Sequence, residues 1–182
     1  MMNSIGLIEL GSIAAGFNTA DAMLKAANVQ ILLSRSICSG KYIVMVGGDV
    51  AAVQASVDSG AAVSKGSVVD TFVIPNVHPD VFPAISGTGK AEMLGSLGII
   101  ESFSVASLIE GADAAAKAAN VTLLEIRLAM ALGGKAFLTM TGDVAAVEAA
   151  VEAGAHVVAQ KGLLVNKVVI PSPRPELLTE IV

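Results

Sequence analysis

Cys38 is the one thiol in a chain of 182 residues. A thiolate is a soft metal ligand, the kind that iron–sulfur clusters normally use. It stands in the run Ser36-Ile37-Cys38-Ser39-Gly40-Lys41, where Ser-Gly permits a tight turn. A single thiol excludes an internal disulfide, in keeping with a reducing compartment. By itself it also falls short of the roughly four ligands that metal and cluster sites commonly use. A lone cysteine is more often a small buried hydrophobe, and an intermolecular thiol contact is a third reading. The residues alone leave these three readings open.

Other chemistry-bearing residues are weaker candidates. Glu9 and Glu101 are two carboxylates that could suggest acid–base work, yet they stand at matching places in two similar segments, which favours a structural role. His78 and His156 have no partners at metal-ligand spacing and read as surface or capping residues. Residues 84–91 end in Gly89-Lys90-Ala91, but a phosphate loop needs Gly at 84 and Ser or Thr at 91, and both are Ala. No Ser/His/Asp or Cys/His set is apparent, so the chain is not expected to be an enzyme. With 11 basic residues, a net charge of −5, one Tyr and no Trp, it offers neither a basic stripe nor a stacking platform for nucleic acid.

The elements that must position Cys38 come from an internal duplication. Asp21 to Val29 matches Asp113 to Val121 at seven of nine positions, offset by 92 residues. Gly48 to Val53 recurs as Gly142 to Val147 at an offset of 94, and Ile74-Pro75 as Ile170-Pro171 at 96. The drift implies two small insertions in the second copy, one between Val121 and Lys135 and one between Ala155 and Lys161. Each copy predicts a strand (5–10, 97–102) and a helix ending at Lys25 to Asn28 or Lys117 to Asn120, with Asn suited to a left-handed C′ position. Two strands follow around a Gly turn (30–37 and 41–47; 122–130 and 135–141). A second helix then starts at Asp49 or Asp143 and stops near Gly60 or Gly154. Its inner face carries Val50, Val53 and Val57, or Val144, Val147 and Val151. A last strand (67–74, 163–170) ends at Pro. The expected fold class is α/β, more narrowly α+β: two tandem domains, each a four-stranded, mostly antiparallel sheet with packed helices. Residues 1–82 form the first domain, 83–96 a linker and 97–182 the second, with a short helical turn near 76–83.

Apolar residues make up 54% of the chain and charged ones 15%, below the usual quarter or so. So much apolar content in modules of about 90 residues implies subunit contacts. The mean hydropathy of +0.74 raises the question of a membrane. Charges such as Lys25, Arg35, Asp49 and Asp70 interrupt every run that could span one. The first residues lack a basic signal region, so a cytoplasmic location is expected.

The order of Lys-Ala-Ala-Asn-Val, a Ser-Gly-Lys or Gly-Gly-Lys turn, Gly-Asp-Val-Ala-Ala-Val and Val-Ile-Pro resembles the bacterial microcompartment shell domain. Both copies match, so the chain resembles the tandem-domain shell proteins. The resemblance implies a homotrimer shaped as a pseudo-hexamer, tiling beside other shell proteins around a central pore. The loop 36–41 and the linker residues Asn76 to Pro79 and Pro83 to Gly87 are similar to those of the iron–sulfur-binding tandem shell protein of the propanediol-utilisation microcompartment. This implies that Cys38 from three chains ligates one cluster per trimer, 4Fe–4S with one non-cysteine iron ligand, or 3Fe–4S. Pore loops would comprise Ser36, Ile37, Ser39 and Gly40 from the first copy and Met130, Leu132, Gly133 and Gly134 from the second. The implied role is electron transfer across the shell or cluster exchange, with an encapsulated redox enzyme as a further partner. Lys25 and Lys117 match the family's tile-edge lysine. The usual Pro-Arg-Pro-His end is altered, with Asn76 and Ser172 at its Arg position and Arg174 two residues beyond the latter. The alternatives are a shell trimer with a metabolite pore and no cluster, and, in another class, a small-molecule-binding regulatory oligomer.

Overall fold

The computed structural model describes residues 4–90, 94–129, 132–174 and 176–177. The chain divides into two units at Val77/His78. The first holds β1 (Ser4–Leu10), α1 (Ile13–Ala26), β2 (Gln30–Ile37), a one-turn 3₁₀ segment (Cys38–Gly40), β3 (Lys41–Gly48), α2 (Val50–Val63) and β4 (Val68–Ile74). The second holds α3 (Val81–Ile85), β5 (Ser96–Ser102), α4 (Val105–Ala118), β6 (Val121–Arg127), β7 (Ala136–Gly142), α5 (Val144–Gln160) and β8 (Leu164–Ile170). The sequence reading carries the first domain to residue 82. In the structure α3 packs on β6 and α4, within the second unit.

Each unit is one four-stranded sheet, ordered β2-β3-β1-β4 or β6-β7-β5-β8, with every pairing antiparallel. The duplication is thus a duplication of topology. All seven residues of β1 are buried, as suits a central strand with helices packed on the sheet. Ile8, Leu10, Met23, Val44, Val46, Val53 and Val57 make the core of the first unit. Each such side chain removed from water contributes about 1.5–3 kcal/mol.

Several local expectations are corrected by packing. The first valine of each expected helix face, Val50 and Val144, is exposed; Val53, Val57, Val147 and Val151 are buried. Gly60 and Gly154 do not stop their helices but lie inside α2 and α5. A Cβ on Gly154 would stand 2.6 Å from the Gly111 carbonyl oxygen, and one on Gly60 2.6 Å from Met23 Cγ. They are the points at which two helices touch. Neither Asn28 nor Asn120 has a positive φ: α1 and α4 end on extended Ala27 and Ala119. Asp49 and Asp143 hold the N-cap positions without a side-chain cap bond, whereas Ser12 and Ser104 accept the N–H groups of Ala15 and Ser107. The second insertion lengthens α5 to 17 residues against 14 in α2.

Candidate functional site

Cys38 opens the turn between β2 and β3. These strands pair up to Ile37 opposite Lys41, which leaves three residues to reverse the chain. Ser39 (φ 63°, ψ 29°) and Gly40 (φ 72°) are both left-handed, the backbone signature of a tight hairpin turn whose twist suits its strands. The left-handed conformation is free for Gly40 and costs Ser39 about 1–2 kcal/mol. A Cβ on Gly40 would meet nothing within 4 Å, so the turn projects into open space. Cys38 is half-buried at its base, with Ser36, Ser39 and Gly40 exposed around it. Ile37 is buried and anchors the turn in the core instead of lining an opening.

The far side of the turn is tied down by charge. Lys41 Nζ lies 2.7 Å from Glu9 Oε1, and the Glu9 side chain is fully buried. The second copy repeats the pair, with Lys135 2.7 Å from Glu101, but both partners there are partly exposed. This gives the matched glutamates a structural role. It also brings in Lys41 and Lys135, which sequence reasoning passed over. Their signal was available: an acid in the first strand and a lysine directly after the turn, in both copies. Tyr42 follows Lys41, with its hydroxyl 3.0 Å from Ser34 Oγ and its ring 5.2 Å from that of Phe17. The strands bearing the turn are therefore held by an ion pair, a hydroxyl pair and an aromatic contact.

The corresponding turn of the second copy is longer. Leu132 is half-buried, Gly133 exposed and Gly134 buried, and both glycines have positive φ. Met130 lies outside the described residues. Lys25 and Lys117 are placed at the opposite end of β2 and β6 from these turns, each paired with an aspartate one helical turn back, Asp21 or Asp113, at 2.6 Å. Arg174 is highly exposed, 3.5 Å from Glu176. His78 caps a turn: its N–H donates to Asp113 Oδ1 at 2.7 Å and its Nδ1 accepts from the Asp80 N–H. His156 is exposed and, with Lys167, holds the Glu152 carboxyl below its ordinary range, Lys167 having the larger effect through its hydrogen bond and charge.

Among the described residues no three His, Cys, Asp or Glu side chains gather as a metal site. One chain therefore offers one thiol on a projecting turn. As a donor set this fits a cluster only as one contribution among several symmetry-related ones. Two surface depressions of about 260 Å³, one bordered by Glu152 and Lys167 and the other by Asn120 and Asp143, lie in the second unit. They fall below the roughly 300–1,000 Å³ of small-molecule sites. No helix among the described residues is long and apolar enough to cross a membrane.

Comparison with known proteins adds the context of a family. Residues 4–77 and 96–173 each match the BMC domain. The bacterial microcompartment shell protein PduT of Citrobacter freundii is 44% identical over 182 residues, covering 100% of this chain and 99% of its own. The single-domain-length shell protein PduA of the same organism is 42% identical over 80 residues, 43% of this chain but 86% of its own length. The crystal structure of a microcompartment protein from Desulfitobacterium hafniense DCB is similar with a TM-score of 0.88 at 54% identity, covering 98% of this chain and 99% of that one.

Proposed function

The chain belongs to the BMC-domain family of bacterial microcompartment shell proteins, and on that footing we propose that three copies close into a pseudo-hexameric tile whose central opening carries an iron–sulfur cluster held by three Cys38 thiolates. The observation that carries this reading is the placement of the chain's one thiol beside a projecting, left-handed Ser39-Gly40 turn. A buried or strand-centre cysteine could not meet its symmetry mates. A thiol at a projecting turn can do so wherever that turn approaches a threefold axis. Three thiolates would leave one iron of a 4Fe–4S cluster to a non-protein ligand, or would complete a 3Fe–4S cluster.

The chain's own residues supply position. Ile37 roots the turn in the core, Cys38, Ser39 and Gly40 reverse the chain within three residues, and the Glu9–Lys41 pair fixes its return strand. The second-copy turn, with Leu132, Gly133 and Gly134, would alternate with the Cys38 turn around the opening. A bound cluster would supply one-electron acceptance and donation within the shell, serving electron transfer across it or cluster exchange with an enclosed redox enzyme. Lys25, Lys117 and Arg174, all exposed, are suited to contacts with neighbouring shell proteins.

The test is anaerobic purification with iron and sulfide supplied, followed by metal analysis and electron paramagnetic resonance. The reading predicts an iron–sulfur signal that disappears in Cys38→Ser while the trimer survives. A colourless, metal-free wild-type trimer would leave Cys38 as a packing residue and the tile with a metabolite-conducting pore.

A further inference from the structure

The two copies differ most on one face. In the second unit, α3 packs on β6 and α4, and Ile109, Ala116 and Leu123 of those two elements are buried. The same positions of the first unit lie open. Phe17 of α1 is 65% exposed where its counterpart Ile109 is 0%; Leu24 is 46% exposed where Ala116 is 8%; Ile31 of β2 is 39% exposed where Leu123 is 1%. The exposed side chains are the larger in two of these three pairs, so composition does not explain the difference. What the second unit has and the first lacks is the segment that follows β4. Gly89 marks how closely that segment lies on the edge strand: a Cβ there would stand 2.1 Å from the Leu124 carbonyl oxygen.

The duplication does not stop at β8. At the offset of 96 that relates Ile74-Pro75 to Ile170-Pro171, His78-Pro79-Asp80-Val81 corresponds to Arg174-Pro175-Glu176-Leu177. Proline, an acid and a branched aliphatic residue recur in order. Val81, fully buried, is the residue with which α3 begins, while its counterpart Leu177 is exposed. The acceptor is duplicated as well. Asp113 takes the His78 N–H on Oδ1 and Lys117 on Oδ2. Asp21 takes Lys25 on Oδ2 in the same way and is otherwise exposed.

We infer that the segment beginning at Arg174 docks on the open α1–β2 face of a second copy of this chain, as α3 covers β6 and α4. Leu177 fills the place of Val81 over Phe17 and Ile31, and the Arg174 N–H bonds Asp21. The contact is heterologous: a tail on one side, a face on the other, so each copy offers both and repetition closes a ring. The inference rests on the trimeric reading above and names the joint that would close the trimer.

Solution mass by sedimentation tests it, using the full chain and two variants at exposed positions, Phe17→Asp and Leu177→Asp, with circular dichroism to confirm folding. Wild type is expected to sediment as a trimer and each variant as a monomer. An equimolar mixture is expected to recover a two-chain species, because the intact tail of Phe17→Asp meets the intact face of Leu177→Asp while both remaining ends are blocked. Wild-type mass in either variant, or two monomeric variants that fail to associate on mixing, would overturn the inference. A trimer that withstands both substitutions leaves the shell-tile reading in place. A metal-free trimer that dissociates in both variants overturns the cluster and leaves this joint standing.

Discussion

Removing the ammonium of Lys41 takes away the ion pair that the buried Glu9 carboxylate makes at 2.7 Å. That situation costs about 3–5 kcal/mol when the surroundings are dry, and Glu9 is fully buried. Lys135→Ala removes the same interaction from a partly exposed pair, worth about 0–1 kcal/mol. Urea denaturation of Lys41→Ala and Lys135→Ala should therefore give very unequal losses; equal losses would contradict the burial of Glu9. Gly40 gives a second asymmetry. Gly40→Val is expected to cost roughly 1–2 kcal/mol through left-handed backbone strain alone, since no atom lies near enough to clash. Gly66, with equally open space and no positive φ, should accept Ala without measurable loss. The identity of the two glutamates was legible in the sequence, but their unequal burial was not. Residue types are the same in both copies, and only packing around them distinguishes 0% from partial exposure.

Helices and strands follow the repeated pattern closely because apolar spacing decides both. Where sequence reasoning went astray, two roles of one residue type competed. Gly60 and Gly154 were read as helix stops, yet the chain uses them for helix contact, and α2 and α5 continue past them. Gly154→Ala would force Cβ to within 2.6 Å of the backbone oxygen of Gly111, which cannot rotate away. Overpacking of this kind costs about 1–3 kcal/mol, and the thermal midpoint should drop by several degrees. Ser was likewise overlooked in favour of Asp as a helix cap. Ser104→Ala is expected to lose about 1 kcal/mol with its bond to the Ser107 N–H. Asp143→Ala, where no side-chain cap bond forms, should cost less. Thermal unfolding of the two variants side by side checks the order. The tight Ser39-Gly40 turn was legible because few residue pairs suit it. The ownership of α3 was not, because its sequence is as compatible with ending the first repeat as with covering the second.

At the scale of the molecule, the duplication makes one chain present two versions of the same turn. Only the first has a thiol. Three chains would then offer three thiolates and three Gly133-Gly134 turns, a threefold donor set that no single chain contains. The shell family was legible from the order of motifs, since those motifs lie at turns and helix ends where backbone demands restrict residue choice. The proposed donor set comes from the family resemblance and not from the residues alone, because three thiolates would need a threefold axis that one sequence does not contain. Native mass spectrometry of anaerobically reconstituted protein tests the central claim directly, since it weighs chains and cluster together. The account predicts a species of three chains with one iron–sulfur cluster, and the bare three-chain mass for Cys38→Ser. A cluster on every chain, or a wild-type trimer of bare protein mass after reconstitution, would contradict it.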